Sequence, residues 1–180
     1  MGLRKANAYS KRPAVPYTRI SKRKQRSYIK VVPPQKIVKF TMGSTPNYRE
    51  GKFPIELTVV VLEKCQIRHN ALEACRQYIN KKLDEALAGQ YLFKVIPFPH
   101  HIQRENKMLT GAGADRMSTG MQLSFGKCIG KAALMKKNAP LFFIAVPTEK
   151  GAQTIRVALH QIKAKLPCKT RVLTEIKKSN

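Results

Sequence analysis

Residues 99–124, PHHIQRENKMLTGAGADRMSTGMQLS, form a long segment without a sustained helical or strand period. The segment contains Gly111, Gly113 and Gly120, and it lies between two halves of the chain that carry clear hydrophobic patterns. Compact domains rarely contain a structureless loop of this length unless it is functional or disordered. We therefore predict that the two halves form one folded scaffold and that this loop protrudes from it.

The charge balance of the chain indicates a partner of opposite sign. The sequence has 35 Lys plus Arg against 10 Asp plus Glu, a formal net charge of +25. Its 180 residues suit a single domain, and a hydrophobic content of 43% is enough for a core. A free chain with this imbalance repels itself, so we expect it to bind a polyanion. Nucleic acid is the first candidate and an anionic membrane surface is the second.

The sequence has few features of a membrane protein. The longest apolar runs, Leu57–Leu62 and Leu141–Pro147, are far shorter than the roughly 20 residues of a membrane span. The basic N-terminus is not followed by the apolar stretch of a secretory signal. We therefore predict a soluble cytoplasmic protein that does not act at a membrane.

The cysteines are scattered and do not suggest a site. The chain has no C-x-x-C pair, which argues against zinc and thioredoxin-like chemistry. Widely spaced cysteines are typical of small buried side chains in a reducing compartment. We predict no disulfide, no metal and no cofactor for Cys65, Cys75, Cys128 and Cys168.

Residues 1–35 form a basic arm in which tyrosines alternate with cations. No acid occurs before Glu50, and four prolines prevent one continuous helix. A disordered, solvated tail is one interpretation. An arm that becomes ordered on RNA phosphates, with tyrosines stacking or hydrogen-bonding, is the interpretation that we favour. The predicted contact residues of the arm are Arg12, Tyr17, Arg19, Lys22, Arg23, Lys24 and Arg26.

The first patterned half predicts strands and one long helix. The strands are expected over Ile37–Phe40, Ile55–Ile67 and Tyr91–Pro97, with a turn-rich connector over Gly43–Pro54. The helix is expected over His69–Gly89, with Asn70 and Glu73 as a capping box and Gly89 as its stop. Its predicted buried face is Leu72, Cys75, Ile79, Leu83, Ala86 and Leu87.

The second half predicts three more strands and a second helix. Phe125–Lys136 is expected as a strand bent at its glycines, followed by Leu141–Val146 and a last strand over Lys169–Ile176. The helix is expected to open at Pro147 and Thr148 and to end at Pro167. Its predicted buried stripe is Ile155, Ala158, Leu159, Ile162 and Leu166.

This order of elements favours the α+β class. Strands and helices do not alternate strictly, so we predict a largely antiparallel sheet with two helices packed on one face. The core domain is expected over residues 36–176, with the basic arm before it. The uncovered face of the sheet, the arm and the loop then remain for the partner.

Motifs for catalysis are missing from the sequence. His100 and His101 are adjacent and lack the spacing of metal ligands. The glycines from Gly111 to Gly113 lack the Gly-Lys-Ser/Thr of a phosphate-binding loop, and no Gly-x-Ser-x-Gly is present. The few acids suit local ion pairs better than acid–base catalysis. We therefore predict a protein that is not an enzyme.

Four segments resemble a known family: RPAVPYTR in the arm, RENK followed by GAGADR-x-x-x-GM in the loop, FGK directly after it, and KLPCKT at the end of the second helix. Together they closely resemble the archaeal–eukaryotic branch of a universal large-subunit ribosomal protein family. The family is called L-ten-e in archaea and eukaryotes and L-sixteen in bacteria. The resemblance extends from about Arg12 to about Val172, which is nearly the whole chain.

The resemblance implies a hammerhead-type α+β sandwich that binds large-subunit rRNA near the peptidyl transferase centre. The long loop of the family points toward that centre, beside the aminoacyl-site tRNA. By the motif match, the loop residues of interest are Arg104, Lys107, Gly111, Gly113, Arg116, Gly120 and Met121. The predicted RNA-contact residues also include Met117 in the loop, Lys127 of FGK, and Lys165 and Lys169 of KLPCKT. The loop departs from the bacterial pattern after Arg116 and Met117, which match best.

We therefore expect a structural constituent of the large ribosomal subunit in the cytoplasm. Its expected partners are large-subunit rRNA, aminoacyl-site tRNA and neighbouring ribosomal proteins, without self-association into a homo-oligomer. Two alternatives remain at this stage. One is a free RNA- or DNA-binding chaperone, and the other is an RNA-processing enzyme with the loop as its lid.

Overall fold

The structure is a computed structural model that describes residues 31–105 and 127–177. Most of the predicted basic arm and most of the predicted loop lie outside these residues. The eight described strands are β1 Thr41–Gly43, β2 Ile55–Val61, β3 Cys65–Arg68, β4 Leu92–Val95, β5 His101–Glu105, β6 Lys127–Met135, β7 Pro140–Val146 and β8 Thr170–Ile176. The helices are α1 Thr45–Arg49, α2 His69–Leu87 and α3 Glu149–Ile162, and a 3-10 turn Lys163–Lys165 follows α3.

The strands form two antiparallel sheets. The larger sheet has the order β1-β4-β7-β2-β8, and the smaller has the order β3-β6-β5. Helix α3 lies against β2 and β7, whereas α2 packs on α3 and on the smaller sheet. The predicted α+β class with antiparallel strands is confirmed, but the strands divide between two sheets instead of forming one.

The division into two sheets occurs inside the segment that the sequence predicts as one strand, Ile55–Ile67. The chain leaves the larger sheet after Val61 and enters the smaller one at Cys65. At the break, the Leu62 backbone N–H donates to the Lys169 carbonyl over 3.0 Å. The exposed Glu63 and Lys64 then occupy the turn. The single-strand prediction is wrong because a continuous apolar run does not show where a strand changes sheet.

Both helices bury the apolar stripe that their spacing predicts. In α2, Leu72, Cys75, Ile79 and Leu83 are buried, although Ala86 is exposed. The predicted stripe of α3 is also buried, although α3 ends at Ile162 rather than at Pro167, so its fifth residue, Leu166, lies after the 3-10 turn. These side chains meet alternate residues of the larger sheet, such as Leu57 and Ile144, in one continuous core. At roughly 25 cal/mol per Å² of buried apolar area, this core is the main stabilising contribution to the fold.

The predicted capping box of α2 is wrong. The N-cap residue is Arg68, which makes no side-chain capping hydrogen bond, so Asn70 lies inside the first turn. Glu73 instead accepts two hydrogen bonds from Arg76, at 2.8 and 2.6 Å. The helix ends at Ala88, which adopts a left-handed conformation with φ of 45°, and Gly89 follows with φ of 85°.

The predictions for the start of α3 are confirmed. Thr148 is the N-cap, and its hydroxyl accepts from the Gly151 N–H over 3.3 Å. Glu149 lies in the first turn, where a negative charge is favourable to the helix dipole. Glu149 also pairs with Arg156 at 2.7 Å.

Several other boundaries differ from the prediction. The first strand is Thr41–Gly43 rather than Ile37–Phe40, because Ile37 is fully buried in the core outside the ladder. A short helix, α1, lies in the predicted connector. The predicted loop begins later than expected, since His101–Glu105 form a strand.

The irregularity predicted at the glycines of β6 is present as a bulge beside Gly130, whereas Gly126 lies outside the described residues. The register with β5 shifts between Gln103 and Arg104, where Gln103 faces Gly130 and Arg104 faces Cys128. Ile129 is therefore the extra residue of a bulge.

Candidate nucleic-acid interface

Four chain segments converge at one end of the larger sheet. Val61, the last residue of β2, donates its N–H to the Ala139 carbonyl over 3.0 Å and accepts from the Asn138 N–H over 2.7 Å. Val61 also pairs with Thr170 of β8. The turns after β2 and β6 and the start of β8 therefore lie beside one another, and the 3-10 turn precedes β8 by four residues.

This convergence collects exposed cations that are distant in sequence. We call this surface the basic end. One acid, the exposed Glu63, lies among its cations. The cations of the basic end are Lys64, Lys136, Lys137, Lys163, Lys165, Lys169 and Arg171, all of them exposed.

Lys165 is the member of the basic end with a defined side-chain contact. Its ammonium group lies 4.9 Å from the centre of the Tyr78 ring. Cation–π contacts at exposed sites contribute roughly 0.5–1 kcal/mol, so the contact orients the lysine without removing its charge. Lys163 and Lys165 also lie at the C-terminal end of α3, where cations are favourable to the helix dipole.

The described acids are concentrated elsewhere and are paired locally. Glu85 contacts Lys82 at 2.7 Å and Lys81 at 4.0 Å on α2. The Arg76 guanidinium, hydrogen-bonded to Glu73, lowers the pKa of that carboxyl. Among the ion pairs of residues 31–105 and 127–177, none involves a cation of the basic end. The cations of the basic end therefore keep their charge unpaired by any described acid.

The predicted site residues within the structure fall into two groups. Lys165 and Lys169 belong to the basic end. Arg104 and Lys127 lie on either side of residues 106–126, which include most of the predicted loop. In the β5–β6 ladder, Arg104 lies directly opposite Cys128, and Lys127 lies directly opposite Glu105. β6 connects the groups, and at about 3.3 Å per residue its nine residues span roughly 30 Å.

The remaining predicted site residues lie outside the described residues. They are Arg12, Tyr17, Arg19, Lys22, Arg23, Lys24 and Arg26 of the arm, and Lys107, Gly111, Gly113, Arg116, Met117 and Gly120 of the loop.

Sequence reasoning missed Lys64, Lys136, Lys137 and Arg171. Each lies next to a strand end in a short polar stretch, which is the local signal that the sequence offers. Their convergence depends on the antiparallel pairing of β2 with β7 and β8. This pairing brings together residues that are far apart in sequence, and hydrophobic periodicity does not specify it.

A buried histidine ties the start of the described chain to the smaller sheet. His69 is 5% exposed, and its Nδ1 accepts the backbone N–H of Lys36 over 3.1 Å. Burial, with the nearby charges of Arg68, Lys36 and Lys131, lowers the pKa of His69. A Cβ placed on Gly130 would lie 3.2 Å from Nε2 of the ring, so the glycine leaves room for it. The neutral imidazole therefore anchors the segment that follows the arm.

Two of the cysteines, Cys65 and Cys168, contact each other through a hydrogen bond between their thiols. His101 is half-buried in β5, and burial lowers its pKa. All four cysteines are free thiols, and burial raises the pKa of Cys75 to about 12. In the part of the chain that the structure describes, no group of three or more His, Cys, Asp or Glu side chains is placed to hold a metal ion. No helix there is long and apolar enough to cross a membrane.

The fold and this charge distribution define a class: a basic α+β domain with two antiparallel sheets and a group of exposed cations at one end of the larger sheet. The family model for ribosomal protein L16p/L10e matches residues 16–173. The chain belongs to that family, as the sequence motifs indicated.

Curated relatives extend over nearly the whole chain. The large ribosomal subunit protein uL16 of Methanospirillum hungatei is 41% identical over 157 residues, which cover 87% of this chain and 89% of the relative. The uL16 proteins of Methanoculleus marisnigri and Sulfolobus acidocaldarius are 42% and 40% identical over 168 and 174 residues. These alignments cover 92% and 96% of this chain, and 96% and 93% of the relatives. The relatives are ribosomal proteins and not enzymes.

Proposed function

We propose that this protein is a structural constituent of the large ribosomal subunit in the cytoplasm, where it binds large-subunit rRNA and helps to shape the aminoacyl-site tRNA region near the peptidyl transferase centre. The subunit assignment follows from family membership. The observation that supports RNA as the direct partner is the basic end, because its exposed cations have no ion-pair partner among the described residues.

Each part of the chain has a role in this proposal. The arm, residues 1–35, and the basic end neutralise phosphates and position the core, residues 36–176, on rRNA. The loop reaches toward tRNA, with Arg116 as its principal phosphate contact and Met117 packing on a base or sugar. Gly111, Gly113 and Gly120 permit close approach of the backbone. Neighbouring ribosomal proteins complete the surroundings, and the protein enters the subunit as a single copy.

Sedimentation of a cell extract through a sucrose gradient tests the subunit assignment. The protein is expected to migrate with the large subunit and to leave it in high salt, because phosphate contacts weaken as salt rises. A protein found mainly in the light fractions would instead favour a free RNA- or DNA-binding chaperone.

The loop assignment has a separate test. Subunits reconstituted with Arg116→Ala are expected to assemble normally but to bind aminoacyl-site tRNA about tenfold more weakly, as expected for a lost charged contact. Arg156→Ala, which removes an exposed cation of α3, is the matched control. An equal loss of assembly and tRNA binding with Arg116→Ala would make the loop an rRNA anchor instead.

A further inference from the structure

Within residues 31–105 and 127–177, one face of the larger sheet is uncovered in its middle. A row of directly opposed residues crosses all five strands: Thr41 pairs with Lys94, Lys94 with Phe143, Phe143 with Thr58, and Thr58 with Leu173. Directly opposed residues of an antiparallel sheet share a face. Val59 and Phe142 are the chain neighbours of Thr58 and Phe143, so they lie on the other face, and both belong to the helix-covered core. The row therefore lies on the face opposite α2 and α3.

Helix α1 covers only one end of this face. Phe53 packs there with Leu92 and Ala145 in a small second cluster. The Tyr48 ring meets Phe143 edge-on, with ring centroids 5.8 Å apart. Phe143 is therefore supported on the α1 side and half-exposed on the other.

The uncovered part of the face combines apolar side chains with cations. Leu173 of β8 is 39% exposed, and Ile96, which directly follows β4, is 41% exposed. Lys94 is exposed on β4, and Arg171 is exposed on β8. β4 and β8 are three strand spacings apart, which is about 14 Å at 4.8 Å per spacing.

The acids of this face lie at its covered end. Glu56 and Glu175 are directly opposed on β2 and β8. Glu56 is buried and accepts a hydrogen bond from the Tyr48 hydroxyl at 2.8 Å, and Lys177 contacts it at 2.6 Å. The apolar middle of the face is thus flanked by positive charge.

We infer that this open face, defined by Thr41, Thr58, Lys94, Phe143, Arg171 and Leu173, receives an unpaired stretch of RNA, with a base packed on Phe143 and Leu173 and phosphates on Lys94 and Arg171. The inference rests on the proposed RNA-binding function and adds a second kind of contact to it, on a face that adjoins the basic end at Arg171.

The chemistry of the face favours RNA over an apolar protein segment. Unpaired bases stack on aromatic side chains exposed on sheets, and cations beside them neutralise the backbone. An apolar peptide would cover Phe143 and Leu173 but would leave Lys94 and Arg171 without anionic partners. The basic end, by contrast, offers charge with little apolar surface, so it suits phosphates alone.

The test compares variants of the full-length protein by their affinity for a fluorescein-labelled single-stranded RNA and for a duplex RNA of equal length. Leu173→Glu is expected to weaken single-strand binding about tenfold, because it removes base packing and introduces repulsion. Val157→Glu is the matched control, since Val157 is 60% exposed on α3, away from the open face. Duplex binding is expected to change less, since its bases are not available for stacking.

Two further variants separate stacking from charge. Phe143→Leu is expected to weaken single-strand binding severalfold with an unchanged salt dependence, because stacking releases no counterions. Lys94→Ala is expected to lower the slope of log affinity against log salt by about 1. Thermal unfolding of each variant shows that the proteins compared are folded.

Three outcomes would overturn the inference. The first is single-strand binding that Leu173→Glu and Lys94→Ala leave at the wild-type level. The second is an equal loss with Val157→Glu. The third is normal RNA affinity but loss of one neighbouring protein from reconstituted subunits carrying Leu173→Glu, which would make the face a protein-docking site. Failure of the wild-type protein to bind either RNA would instead reject the proposed function.

Discussion

Helix α2 and the basic end both carry several cations, but they surround them with different neighbours. On α2, Arg76, Lys81 and Lys82 share the helix with Glu73 and Glu85, and each has a partner within 4.0 Å. At the basic end, exposed lysines from separate segments lie together with one acid, Glu63. The difference shows that the location of unpaired cations, rather than the number of cations, identifies a candidate polyanion surface. On α2 the cations are paired within the fold, whereas those of the basic end have no described ion-pair partner.

The largest expected effect concerns the buried side of α2. Ile79→Ala is expected to lower the free energy of unfolding by about 2–5 kcal/mol, since Ile79 is fully buried in the core. Urea unfolding followed by circular dichroism measures this loss. RNA affinity of the folded variant at low temperature should match that of the wild type. A parallel loss of affinity would show that α2 also contributes to binding.

The next effect concerns the basic end. Changing Lys136, Lys137 and Lys169 together to Gln is expected to reduce the slope of log affinity against log salt by about 3. At low salt, a loss of about 100-fold, equivalent to about 2.7 kcal/mol, is expected for rRNA binding. Filter binding across a salt series measures both quantities.

A triple variant with the same change in net charge is the control for that experiment. Lys81, Lys82 and Lys150 changed to Gln removes exposed or half-buried cations from the helices. It is expected to leave the slope almost unchanged. If both triple variants weaken binding equally, net charge alone governs affinity, and the distinction between the two regions is lost.

A smaller effect tests the pairing within α2. Arg76→Ala is expected to lower stability at pH 7 by about 0.5–1 kcal/mol, because it removes the bidentate partner of Glu73. The pKa of Glu73 is lowered in the fold, so its contribution is present above the unfolded pKa and is lost as pH falls through the folded pKa. The variant and the wild type should therefore converge in acid. A constant difference down to pH 2 would show that Arg76 acts through packing instead.

The smallest effect concerns His69, at the start of α2. Its pKa is lowered, so the unfolded chain binds the proton first, and stability should fall as pH decreases below about 6.5. His69→Asn is expected to remove this pH dependence, which amounts to less than about 1 kcal/mol per pH unit. Urea unfolding between pH 5 and pH 8 measures it, with His160→Asn on the exposed side of α3 as control. An unaltered pH profile in His69→Asn would assign the dependence to another group.

The helices and strands that have a regular hydrophobic pattern could be predicted from the sequence. The buried stripes of α2 and α3 follow a period of 3.6 residues, and strands such as β7 are short apolar runs bounded by prolines. The N-cap of α2 could not be predicted, because Asn70 offers the chemistry of a cap but the helix begins one residue earlier, at His69. Local preference was overridden by the pairing of β3, which ends at Arg68.

The candidate site was predictable only in part for the same reason. Lys165 and Lys169 stand in a recognisable segment after α3. Lys64 and Lys137 have no such context, and they reach the same surface only because β2 pairs with β7 and β8. The open face could not be predicted for the same reason. From the sequence alone, Phe143 resembles the other core aromatics, and only the register of the strands shows that it lies on the sheet face away from α3.

β6 has a consequence for how the molecule fits a rigid partner. Its nine residues run from the root of the loop at Lys127 to the edge of the basic end, paired first with β5 and then with β3. A hydrogen-bonded strand stretches very little along its axis. β6 therefore keeps the distance between its two ends nearly constant. A group bound at Lys127 is held at a fixed distance from a group bound beside Met135.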